Sequence, residues 1–132
     1  DTCFDFQSSA RQLERIADHA TKIADLALEV EEIPESAADP LRDLLDQARQ
    51  VPETAMDALL ADNSEDATEL ANDARAQIQD VDSRVREVDK TIREFDPQHA
   101  QVLGLVVDSL SRTADYGGNI AESALQKAAP RP

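Results

Sequence analysis

The chain has 132 residues, a net charge of −15, and only 3% aromatics among 41% apolar residues. That length suits one domain with a real core, while the charge excludes direct docking on nucleic-acid backbones or anionic membranes by this segment. Ala, Leu and Val replace aromatics in the core, and three glycines leave little for the turns of a β fold; the composition is all-α.

The first helix is expected from about Asp5 to Glu32, with Leu13, Ile16, Ala20, Ile23, Ala27 and Val30 stepping by three and four. "EEIPESAADP" breaks that pattern at Pro34. Asp39 followed by Pro40 then reads as N-cap and first-turn proline of the second helix, whose apolar positions are Leu41, Leu44, Leu45, Ala48, Ala55, Met56 and Leu59. Pro52 lies in its middle without a change of phase, so a kink or brief interruption is expected there. Asn63 or Ser64 caps the third helix. Its seam of Ala74, Ile78, Val81, Val85, Val88, Ile92 and Phe95 alternates four and three, as in coiled-coil-like packing. Asp96-Pro97 repeats the cap-plus-proline signal and opens a fourth helix lasting to about Lys127, before a frayed "AAPRP" tail.

The first and fourth helices are written alike. "LERIADHATKIADLAL" (13–28) and "LSRTADYGGNIAESAL" (110–125) align without a gap at an offset of 97, with eight identities in sixteen positions. A duplicated structural unit explains this. Gly117-Gly118 falls inside the second copy, where glycine costs helix stability, so close approach of a neighbouring backbone is expected.

Asp outnumbers Glu by 17 to 11 and Arg outnumbers Lys by 10 to 3. Such a surface is typical of proteins in molar salt, where screening suppresses self-repulsion, and a halophilic source is the expectation. Cys3 is the only cysteine, so no disulfide forms within the chain. No stretch approaches the roughly 20 apolar residues of a membrane span. The opening "DTCFDFQSS" lacks the basic start and apolar run of a signal peptide. Together these point to a cytoplasmic protein.

Chemistry-bearing groups are sparse. Glu14 and Asp18, four apart, put two carboxylates on one side of a helix. A metal ion between them is one reading; a solvated face beside Arg11 and Arg15 is the other. His19 reads as a surface or partner-facing residue, and His99 has no cluster around it. The chain holds no Glu-x-x-His pair of the di-metal oxidases, no glycine-rich phosphate loop and no nucleophile–base signature. An enzyme is not expected.

"LERIADHATKIA" closely resembles the signature helix of the PhoU family, Glu-Arg-Ile-Gly/Ala-Asp-His-Ala with Ile-Ala shortly after. "SRTADYGGNIAE" is similar to the same helix in that family's second repeat. The resemblance covers the whole chain and implies a PhoU-like helical bundle: residues 1–33 as the last helix of a first repeat, 39–128 as a complete second three-helix repeat. It implies that two helices of the first bundle precede this sequence, so that the chain is a fragment of a longer protein. "DTCFDFQSSARQLERIADHA" resembles archaeal members, many of which carry an AbrB-type DNA-binding segment upstream.

The family regulates phosphate uptake by acting on a transporter and its sensor kinase, and some relatives serve potassium channels. Its members can bind iron or zinc clusters through (Glu/Asp)-x-x-x-Asp motifs. On that resemblance the metal-facing residues are Glu14, Asp18, Asp82 and Asp115. Ser111 and Ile78 stand where two further carboxylates belong, and Asp108 lies one turn before Ser111. The implied function is a non-catalytic module docking on a phosphate-uptake transporter or signalling partner, with a homodimer expected. Alternatives are an accessory domain of a potassium transport system and a purely structural acidic bundle that oligomerises through its seams.

Overall fold

A computed structural model describes residues 2–29, 33 and 35–129. These form four helices: α1 (Thr2–Glu29), α2 (Glu35–Leu59), α3 (Ser64–Ile92) and α4 (Pro97–Ala128). Among the described residues there is no strand, as the composition implies. At 1.5 Å per residue the longest helix measures about 48 Å. The stop at Pro34, the end of the first helix beyond Glu29 and the tail at 130–132 lie outside the described residues.

Local signals set most of the boundaries. Asn63 caps α3, its side chain accepting from Asp66 N at 2.8 Å. Asp96 caps α4, accepting from Gln98 N at 3.2 Å and His99 N at 3.1 Å, with Pro97 in the first turn. The His99 ring also pairs with the Asp96 carboxylate. That bond, first of all, and the cap hold Asp96 below its usual carboxylate range.

α2 corrects the reading of its start. It begins at Glu35, so Asp39 is no cap and Pro40 lies within the helix. The extra turn buries Ala37 completely beside Leu41 and Leu44, and apolar burial outweighs the one backbone bond that Pro40 cannot make. The helix also runs without interruption through Pro52.

α2, α3 and α4 pack against one another, whereas among the described residues α1 packs on α4 alone. The main core gathers Leu44, Val51, Val81, Val88, Leu103, Val107 and Leu110; a second layer holds Ala55, Leu59, Ala71, Ala74, Ile120 and Ala124. The α3 seam behaves as its heptads indicate, with Ala74, Val81, Val88 and Ile92 buried and Ile78, Val85 and Phe95 packed on the core. Between α3 and α4, Arg75 and Glu122 form an ion pair. Between α4 and α2, Lys127 Nζ donates to Leu59 O at 3.0 Å.

The seam expected on α1 divides. Ile16 and Ile23 turn towards the core clusters, but Leu13 and Ala20 are exposed. The face on α4 is instead largely polar: Ser9 and Gln12 are buried, with Leu26. Ala27 and Val30 carry no described side chain. Leu45 of α2, expected inside, is 46% exposed.

Candidate functional site

α1 and α4, the two copies of the duplicated helix, lie side by side and antiparallel. Phe6 meets the Lys127 ammonium at 5.1 Å, Gln12 accepts from Asn119 at 3.0 Å, and Arg15 lies over the Tyr116 ring at 5.7 Å. His19 and Tyr116 occupy the same position in the two copies, and their rings touch, centroids 5.6 Å apart. Equivalent residues meet in an antiparallel pair only where a two-fold axis passes. The duplication is therefore a pseudo-two-fold arrangement in space. His19 faces Tyr116 of its own chain, and its Nδ1 is enclosed without a hydrogen-bond partner among the described residues. Among the described residues the buried hydroxyls of Ser9 and Ser109 likewise have no hydrogen-bond partner.

The symmetry exposes an asymmetry in coverage. Leu103, Val107, Leu110, Ala114, Gly117 and Ala121 of α4 are all buried beneath α2 and α3. Their counterparts on α1 are Phe6, Ala10, Leu13, Ala17, Ala20 and Ala24, apolar at every position and all exposed. α1 thus carries a face of the kind α4 buries, with no helix over it among the described residues.

The four carboxylates divide into two sets. Asp82 on α3 and Asp115 on α4 are electrostatically linked: partial burial first, and then the Asp82 charge, raise the Asp115 pKa above the usual carboxylate range. Asp108 adds to the rise, and Arg112 opposes it. Arg112 is engaged by Asp108, to which its Nε donates at 3.2 Å. Glu14 and Asp18 are exposed on α1, and neither is among the charges that act on Asp115.

Among the described residues no group of three or more His, Cys, Asp and Glu is placed to hold a metal ion. A structural zinc centre takes four protein ligands. Asp82 and Asp115, with the Arg112 charge acting on Asp115, supply two of these. Nor is any helix among the described residues long and apolar enough to cross a membrane.

The Asp115 environment gives a signed prediction. A carboxyl raised in the fold stabilises most below its unfolded pKa, and that contribution is lost as pH rises through the folded value. At pH 7 the charged group works against the fold, so Asp115→Asn should raise stability. Exposure lets water screen the repulsion, so a gain of about 0.2–0.5 kcal/mol is expected, the size of a like-charge helix pair. The gain should vanish near pH 3. Urea melts at the two pH values check this; a loss at pH 7 would mean that a cation occupies the pair.

Spacing did not reveal the Gln12–Asn119 bond or the Arg15–Tyr116 contact. The one signal available was that His19 and Tyr116 are copies of one position. No protein-family model, curated protein or solved structure matches this chain.

Proposed function

We propose that this chain is a non-catalytic regulatory module of PhoU type, modulating phosphate uptake by docking on a transporter or signalling protein. The observation that carries the reading is the antiparallel pairing of the two duplicated helices about a pseudo-two-fold axis. Two three-helix bundles joined through their signature helices would have this layout, with α2, α3 and α4 as one bundle. In that layout the exposed stripe of α1 is the face on which the other bundle's two helices lie. Where those two helices do not cover it, the same stripe is the place for a second copy of the chain, and so for the homodimer. The motif "LERIADHATKIA" supports the family, and the acidic exterior suits protein docking better than nucleic-acid binding. No part of the proposal runs through a metal, because Asp82 and Asp115 do not by themselves complete a site.

The test is phosphate uptake in cells from which the protein has been removed. If uptake stays high when external phosphate is plentiful, the regulatory reading stands. Normal phosphate uptake with altered potassium uptake would favour the potassium-transport alternative. If neither changes, the exposed α1 stripe favours the structural reading, and sedimentation should then show an oligomer.

A further inference from the structure

At the end of the bundle where α2 turns into α3, the surface changes character. Leu60 is 61% exposed, the most exposed large apolar side chain among the described residues. With half-buried Leu70 and Ala61 it lines an open groove of about 400 Å³, together with Asp57, Asp62, Asp66, Glu69 and Asp73. From Arg49 to Arg75 the sequence has seven acidic residues and no intervening Lys or Arg.

Elsewhere ion pairs are interspersed among unpaired carboxylates: Arg42 with Asp39, Arg49 with Asp46 and Glu53, Arg75 with Glu122, Arg84 with Glu87. Among the described residues none of the five groove carboxylates has a cationic partner. Only Asp66 is otherwise engaged, by Asn63 at the helix cap. That cap fixes the turn, so the groove is preformed.

We propose that this groove is a docking surface for a cationic amphipathic helix of another protein. Leu60 and Leu70 would receive one or two apolar side chains at helical spacing, and the five carboxylates would receive Lys or Arg on either side of them. Charge complementarity selects this occupant. Anionic lipid and nucleic acid are repelled. A second copy brings the same charges, 28 acidic against 13 basic residues. The inference needs a protein partner but not a phosphate transporter, so it stands or falls apart from the regulatory reading.

The probe is a fluorescein-labelled 16-residue peptide of Lys and Leu at helical spacing, beside a scrambled peptide of equal composition. Anisotropy is measured in about 0.3 M KCl, where exposed charges separated by more than roughly 6 Å are largely screened. The amphipathic peptide should bind at least tenfold more tightly than the scrambled one. Leu60→Ser should weaken it at least tenfold, as should the triple variant Asp57→Asn/Glu69→Gln/Asp73→Asn. The control Asp43→Asn/Asp80→Asn/Glu94→Gln removes as much charge elsewhere and should stay within twofold. Leu60 and the substituted acids are exposed, and unchanged helical circular dichroism verifies the fold. Equal binding of the two peptides, or a Leu60→Ser effect within twofold, overturns the proposal. So does a dimer that Leu60→Ser dissolves, which would give the groove to a second copy.

Discussion

Gly117→Ala should destabilise the chain by about 1–3 kcal/mol, the usual cost of forcing a methyl into a packed core, whereas Gly118→Ala should stabilise it by up to about 1 kcal/mol. The two residues are adjacent on α4, and both gain helix propensity with alanine. What separates them is the neighbour. A Cβ on Gly117 would lie 2.8 Å from the backbone nitrogen of Pro52 and 2.8 Å from Val51 Cγ1, so α2 and α4 would have to part. A Cβ on Gly118 would meet only Ile78 Cδ1, at 2.7 Å, the far end of a side chain that can turn aside. Denaturant melts of the two variants give the answer directly. If Gly117→Ala stabilises the chain as Gly118→Ala does, the close passage of α4 over Pro52 is not as described. Gly117 and Pro52 belong together: proline leaves a backbone position without a donor, and glycine lets the crossing helix come near it.

The second large effect compares one position in its two copies. Leu110 is 2% exposed and Leu13 38% exposed. Leu110→Ala should cost about 2–5 kcal/mol, as buried leucines do. Leu13→Ala on the dilute monomer should cost at most about 0.5 kcal/mol, in line with surface substitutions. Repeating both melts at high protein concentration extends the test. A cost at Leu13 that grows with concentration would show the α1 stripe becoming covered by a second copy. A cost as large as that of Leu110 in the monomer would mean that α1 packs differently.

Much of the fold was legible because helices announce themselves. Asn63 and Asp96 carry caps in single side chains, and the α3 seam repeats without error for three heptads. The start of α2 was not, because Asp39-Pro40 offers a good local cap while the reward for starting earlier lies in burying Ala37, a tertiary matter. The α1 seam misled for a related reason. Periodicity shows that Leu13 and Ala20 form an apolar stripe, but not that α4 would take the adjacent polar strip of Ser9 and Gln12 instead. Of the site, Asp82 and Asp115 could be paired only through a resemblance, since 33 residues separate them. The groove at Leu60 was written in the sequence as a run without cations, yet only the turn geometry joins Asp57 to Asp73.

A helix that packs antiparallel on its own copy is self-complementary, the property on which two-fold dimers rest. Here the two copies are links of one chain, so their meeting is first-order and does not weaken on dilution. In a true dimer every substitution appears twice, once on each side of the axis. A fused pair is free of that constraint, and each side can be altered alone. His19 against Tyr116, and an open Leu13 against a covered Leu110, are what that freedom permits: one interface, two independently adjustable halves.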